Sequence, residues 1–184
     1  MNSPTDHQLM LRVREGEVAN LGHLFERHHE RLYNFFVRLS GHRQLSEDLV
    51  QEVFVRMLKY RHAYREDSQF ISWMYQIARH VRFDQVRKKL PEVTLDEQEE
   101  PMSAAPAPGE RIEKSQELAL LRGAFARLSP EKREVLILSR FQRLKYDQIA
   151  QILGCEIGAV KVRVYRAIRE LRHAFFEIRG EKVS

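Results

Sequence analysis

The sequence predicts an all-α protein of two small helical domains joined by a flexible acidic linker. Two observations carry this. Apolar residues recur at three-to-four spacing through most of the chain, the signature of helices with one buried face. Charge is also unevenly spread: residues 1–90 hold 15 Lys and Arg against 11 Asp and Glu, residues 91–110 none against 6, and residues 111–184 hold 16 against 9. The middle stretch, PEVTLDEQEEPMSAAPAPGE, contains Pro91, Pro101, Pro106, Pro108 and Gly109 but few large apolar side chains, so it cannot hold a core and reads as an extended tether. Two basic modules flanking an acidic tether point to nucleic acid as the partner of the modules.

In the first module, residues 5–39 read as two helices. Leu9, Met10 and Val13 give the first a short apolar face, Gly16 interrupts it, and Leu21, Leu24, Phe25, Leu32, Phe35, Phe36 and Leu39 give the second a longer one, with Gly41 as its stop. The stretch from Ser46 to Lys89 supplies two more helices. Ser46 suits an N-cap, with Glu47 and Asp48 in the first turn where the helix dipole favours acids, so a helix is expected to start at Glu47. Leu49, Val50, Val53, Phe54, Met57 and Leu58 form its buried stripe. Asp48, Gln51 and Glu52 fall on another face, either a solvated acidic surface or a place where a basic partner docks.

The next helix begins near Phe70. Phe70, Ile71, Trp73, Met74, Ile77, Ala78, Val81 and Val86 supply its apolar stripe, and Arg79, Arg82, Arg87, Lys88 and Lys89 its polar side and end. Basic residues at a helix C-terminus suit the dipole without any ligand. They also alternate with Tyr64, Phe70, Trp73, Tyr75 and Phe83, the mixture of cations and rings that grips single-stranded nucleic acid. Phe70 and Trp73 lie in the apolar stripe, which favours core over base platform.

The second module opens with a helix from about Ile112 to Leu128. Ser129 and Pro130, as N-cap and N1, start another through Phe141, with Val135, Leu136, Leu138 and Phe141 as its expected buried face. A short helix from about Tyr146 to Leu153 stops at Gly154, and a last one runs from about Ile157 to Phe176. A short helix, a tight turn and a longer basic helix describe a helix-turn-helix, whose second helix enters the major groove of DNA. Lys161, Tyr165 and Arg166 suit base-edge and phosphate contact; Arg163, Arg169 and Arg172 fit that role or a solvated one equally.

Other classes find little support. Cys155 is the single cysteine, and the eight histidines are scattered, so the sequence offers no metal site or cofactor signature; an enzyme built on His23, His28 or His29 with Glu26 and Glu30 lacks a convincing ligand spacing. The segment MNSPTDHQLMLRVREGE has no apolar signal-peptide core and no run approaches the ~20 apolar residues of a membrane span. The expectation is a cytoplasmic protein with no membrane insertion.

Asp48, Gln51, Glu52 and Phe54 match D-x-x-Q-E-x-F, and Trp73, Ile77, Ala78, Arg79, Asp84 and Arg87 match W-x-x-x-I-A-R-x-x-x-x-D-x-x-R. Together they resemble region two of the extracytoplasmic-function (ECF) sigma factors of bacterial RNA polymerase. The segment LSPEKREVLILSRFQRLKYDQIAQILGCEIGAVKVRVYRAIRELR resembles region four of the same family, with Ala159 for the usual Thr and Val162 for the usual Ser. The resemblance implies that residues 1–90 are a polymerase-binding and minus-ten domain, 91–110 a linker, and 111–184 a minus-thirty-five domain. It implies that Asp48, Gln51, Glu52 and Phe54 dock on the clamp helices of the largest polymerase subunit. It further implies that the loop from Ala63 to Gln69 pockets a flipped minus-ten base, with Tyr64, Arg65, Ser68, Trp73, Arg79, His80 and Arg87 contacting the displaced strand; His80 replaces the family's usual Asn. Lys161, Arg163, Tyr165 and Arg166 would read the minus-thirty-five duplex while this module meets the polymerase flap. An anti-sigma factor is the family's usual regulator.

The sequence thus reads as a promoter-specificity subunit that is not itself an enzyme. The alternative is a stand-alone helix-turn-helix regulator, which would bind duplex tightly without polymerase.

Overall fold

The computed structural model describes residues 3–89 and 110–180. These form eight α-helices, with no strand among the described residues: α1 (Asp6–Arg14), α2 (Asn20–Ser40), α3 (Arg43–Lys59), α4 (Phe70–Lys89), α5 (Glu110–Arg127), α6 (Pro130–Leu136), α7 (Tyr146–Leu153) and α8 (Ile157–Arg179). A single 3-10 turn, Arg61–Ala63, follows α3, and a π-helical turn, Ile137–Phe141, extends α6. The chain divides into two units, Met1–Gln98 with Asp147–Gly154, and Glu99–Tyr146 with Cys155–Ser184. Most of the acidic tether lies outside the described residues.

In the first unit α1 packs on α2, α2 on α3 and α3 on α4. Leu9, Met10, Leu24, Leu32, Phe35, Phe36, Val53, Met57 and Met74, positions that three-to-four spacing picks out, are all sealed from water, and so is Tyr75, which the spacing does not. Tyr75 lies edge-on to Phe35 at 5.2 Å, so it belongs to the core and is withdrawn from the cationic surface. Thr5 and Gln8 close a reciprocal capping box at the start of α1, and Gly41, at φ 78°, ends α2 in the left-handed conformation that glycine adopts without strain.

α3 starts four residues earlier than expected. Ser46 is not its cap but a fully buried residue inside it, whose Oγ donates to the His42 carbonyl at 2.6 Å. A serine can satisfy itself on the carbonyl one turn back, and burial between α2 and α3 makes it do so.

The second unit packs α5 and α6 against α8 around Ala124, Leu128, Val135, Leu138, Val160, Val164 and Ala167. Ser129 accepts from the Lys132 amide and Pro130 occupies N1. The helix does not run straight through Phe141: the Gln142 amide reaches back to the Ile137 carbonyl at 2.8 Å, a widened turn that leaves Phe141 50% exposed. Phe141 therefore departs from the buried face expected of it.

One buried polar group shapes the first unit's response to acid. The His28 ring is buried, its Nε2 stands 2.7 Å from Asp6 Oδ2, and its Nδ1 has no hydrogen-bond partner. That arrangement fits the neutral tautomer with Nε2–H donating, because a second proton on Nδ1 would have no acceptor. Burial lowers the His28 pKa, more than the Asp6 carboxylate raises it. Burial works to raise the Asp6 pKa, but hydrogen bonds from Arg27 and His28 outweigh it and leave the carboxyl below its ordinary value. Both folded-state pKa values are depressed, so both groups contribute stability that is complete above their unfolded pKa values. That stability is lost first as pH falls below about 6.5, when unfolded His28 takes a proton the folded chain resists, and further below about 4 for Asp6. Urea unfolding should accordingly show a falling midpoint from pH 7.5 to 5.5, and His28→Gln should flatten that descent.

Candidate nucleic-acid and polymerase interface

Three surfaces hold the sequence-predicted residues. On α3, the apolar stripe faces the core and turns Asp48 and Gln51 outward, both exposed, with Glu52 half-buried on the same side. Val55 (58% exposed) and Phe25 of α2 (39%) leave apolar surface uncovered beside these carboxylates. Phe54 is placed differently from Asp48 and Gln51: it is buried, edge-on to Phe25 at 4.9 Å, so it supports that face from below. Glu52 of this acidic face is paired within the chain. Arg56 Nε donates to Glu52 at 2.7 Å and its Nη1 to Asp84 of α4, also at 2.7 Å.

The loop between α3 and α4 and the outer face of α4 carry the second group. Tyr64 is 1% exposed, its hydroxyl 2.7 Å from His7 Nδ1 and its ring edge-on to Trp73 at 5.0 Å. Burial first, and the Asp6 carboxylate second, push its phenol up to about 12. Tyr64 is thus a strut of the loop, not an open stacking surface, because its ring is buried against Trp73 and its hydroxyl is held by His7 of α1. Arg65 folds back on Asp67 through two hydrogen bonds, at 3.0 and 3.2 Å, and Ser68 Oγ accepts from the Arg65 amide, so the loop is organised by its own side chains. Trp73 is half-buried.

Along α4, residues 80, 83, 84 and 87 recur at helical spacing on one side. His80 and Phe83 are exposed, and Arg87 donates to Asp84 at 3.2 Å. The Arg56 guanidinium, helped by Arg87 and His80, holds the Asp84 carboxyl below the usual carboxylate range against the opposing effect of burial. The Arg79 guanidinium lies 5.4 Å from the Phe83 ring centre and donates to the Ile152 carbonyl of α7 at 2.8 Å. Sequence reasoning had not singled out Tyr60 or Arg56. The signal for Arg56 was its i, i+4 spacing from Glu52 and the carboxylate of Asp84 on the next helix.

The third surface is α8. Lys161, Arg163, Tyr165 and Arg166 are all exposed, Tyr165 most of all at 66%. Tyr165, Arg166, Arg169 and Arg172 line a groove of about 840 Å³ with Lys132, which is paired to Glu170. Val160, Val164 and Ala167 are buried, which fixes the rotation of the helix and so turns the basic residues outward. Gly154, between α7 and α8, sits at φ 64° with no atom within 4 Å of where a Cβ would be.

All-helical units that expose an acid-and-apolar face and basic, ring-bearing faces define a class of nucleic-acid-associated adaptor. The sigma-70 region 2 family model matches residues 24–90 and the sigma-70 region 4 model residues 118–171. The chain is 31% identical over 137 residues to the ECF RNA polymerase sigma factor EcfG of Rhodopseudomonas palustris, covering 74% of this chain and 75% of that one. It is 28% identical over 172 residues to the RNA polymerase sigma factor CarQ of Myxococcus xanthus, covering 94% and 98%. The fold also matches the sigma factor RpoE from Bartonella quintana, solved in complex with the anti-sigma factor NepR, with a TM-score of 0.66 at 24% identity over 83% of this chain and 94% of that one. The chain belongs to the ECF sigma factors of RNA polymerase.

The turn before α8 gives a direct test of how the basic helix is presented. Gly154→Ala meets no steric obstacle, so its cost is the left-handed backbone alone, about 1 kcal/mol. Chemical denaturation should read that loss, with Gly154→Asn losing less.

Proposed function

We propose that this sigma factor docks on core RNA polymerase through the α3 face of Asp48, Gln51 and Glu52, guides unpaired minus-ten DNA along α4, and reads minus-thirty-five duplex with Lys161, Arg163, Tyr165 and Arg166 of α8. The observation that carries the reading is the uncovered α3 face, where exposed Asp48 and Gln51 border the exposed side chain of Val55. Isolated, that face leaves apolar surface in water and carboxylates without a cation beyond Arg56; a basic helical partner such as the clamp of the largest polymerase subunit satisfies both. Phe54 shapes the face from beneath. Arg65, Ser68, Trp73, Arg79, His80 and Arg87 flank the strand, with Tyr64 bracing the loop.

Residues 1–90 act as the polymerase and minus-ten domain, 91–110 as the linker and 111–184 as the minus-thirty-five domain, which also meets the flap. The linker makes the second DNA contact effectively intramolecular, so two weak sites act as one strong one. The protein works in the cytoplasm, without catalysis or a cofactor of its own. Regulation by an anti-sigma factor is supported by the RpoE relative, whose structure holds one. No described helix is long and apolar enough to cross a membrane.

Asp48→Arg combined with Glu52→Arg should abolish capture of core polymerase while leaving the circular dichroism spectrum unchanged; undiminished capture would reject the α3 assignment. On duplex bearing the minus-thirty-five site, Lys161→Ala and Arg166→Ala in holoenzyme should each weaken binding and reduce the slope of log affinity against log salt by about 1 if the lost contact is to phosphate.

A further inference from the structure

Most large rings of the first unit are used up in its core; Phe25 stands exposed beside the α3 carboxylates, and two more stand exposed away from it. Tyr60, just past the end of α3, is 49% exposed, and Phe83, midway along α4, is 50% exposed. Single exposed rings are ordinary on a protein surface. These two line one groove, with Ile77, Arg56, His80 and Asp84 as the rest of its wall, and the groove measures about 310 Å³. That is at the small end of the roughly 300–1,000 Å³ typical of ligand sites.

The chemistry of the wall is divided. Tyr60, Phe83 and Ile77 offer flat apolar contact. Arg56 and Asp84 pair at 2.7 Å and so bring opposite charges into the groove together. The guanidinium has five N–H groups, of which Nε is directed at Glu52 and Nη1 at Asp84, and a carboxylate has lone pairs beyond the two bonds Asp84 accepts from Arg56 and Arg87. The wall therefore presents both a donor and an acceptor edge, with the exposed His80 imidazole beside them. Cations outside the groove's own wall lie against its two rings: Lys59 Nζ is 5.4 Å from the Tyr60 ring centre, and Arg79 and Arg82 are 5.4 and 6.0 Å from that of Phe83. Flat apolar walls, a polar edge and flanking cations suit a flat heteroaromatic ring on an anionic backbone. An apolar peptide side chain would leave the Arg56–Asp84 edge desolvated and unmatched. A base paired within duplex has no face free to stack against a protein ring.

We infer that the groove between Tyr60 and Phe83 is a stacking slot for one unpaired nucleobase, its edge met by Arg56, His80 and Asp84. The inference rests on the proposal that single-stranded DNA runs along α4, and adds to it a particular site. The slot lies at the end of α3 and the middle of α4, apart from the loop of residues 63–69 that the sequence resemblance assigns to base capture.

The test uses full-length chain reconstituted with core polymerase and a forked DNA whose unpaired strand has been selected from a randomised pool. Abasic sugars are then placed at each unpaired position in turn, and binding is measured for wild type and for Tyr60→Ala with Phe83→Ala. Both rings are half in water, so the variant should fold and capture core polymerase as wild type does; Tyr60→Phe with Phe83→Tyr, which keeps both rings, should bind fork as wild type does. The double alanine variant should bind the intact fork about tenfold more weakly, in line with base–ring stacking elsewhere. At one position the abasic fork should bind wild type and variant equally, because the base that needs the slot is gone. Should the variant bind intact fork as tightly as wild type, or lose affinity by the same factor at every abasic position, the slot is refuted while strand guidance by α4 stands. If abasic substitution matters at no position in wild type, strand guidance itself is wrong and the slot falls with it. If the double alanine variant loses core capture while the ring-keeping variant retains it, the two rings serve the polymerase interface and the slot is likewise refuted.

Discussion

The Arg56 guanidinium joins the two helices on which the first unit's outer surface depends. It reaches Glu52 one turn back on α3 and Asp84 across on α4, each at 2.7 Å. Its own side chain is only 20% exposed, so the pair is partly shielded, whereas Asp84 lies open enough for solvent to screen it strongly. The value of the arrangement is therefore geometric more than energetic. A planar fork with fixed N–H directions sets the rotation of α3 against α4, and with it the angle between the acidic face and the side of α4 that carries His80, Phe83 and Arg87. Burial of Val53, Met57, Met74 and Ala78 sets the same rotation from the inside. Two independent constraints agree, the condition under which a surface is held in one arrangement.

The same logic separates what the sequence disclosed from what it withheld. Periodicity located most of the helices, because an apolar stripe must be buried; α5 is the exception, with Leu118 and Leu121 exposed and only Ala124 fully buried among its described side chains. Glycine and proline marked the stops at Gly41 and Gly154 and the start at Pro130, where backbone conformation is dictated by the residue itself. Ser46 was misread because the same hydroxyl can cap a helix or bond to the carbonyl four residues back, and only burial between two helices decides. Phe141 was misread because the π-helical turn shifts the register by one residue, and nothing in local propensity announces it.

The candidate site was legible to a different degree. Asp48, Gln51, Lys161, Arg163, Tyr165 and Arg166 stand exposed on the faces where helical spacing places them. Tyr64 did not follow its expected role, because whether an aromatic beside cations is platform or core depends on a long-range partner, here His7 of α1. Arg56 and Tyr60 escaped notice for the converse reason. Only the Glu52 pairing of Arg56 lies along α3; Asp84, His80 and Phe83 come from α4, and a pattern read along one helix carries no information about what the next helix brings opposite it.

Exposure rather than composition also gives meaning to the two departures in the basic helix. Val162 is 47% exposed, whereas Ala159 is half-buried near the start of α8. The family's usual hydroxyls at these positions can bond phosphate or base, and neither replacement can. An exposed β-branched apolar side chain on a helix that enters the major groove has one favourable base-edge partner, the methyl group of thymine. Position 162 therefore offers apolar surface where the family's usual serine offers a hydroxyl. Ala159, half-buried, offers neither a hydroxyl nor an exposed apolar surface.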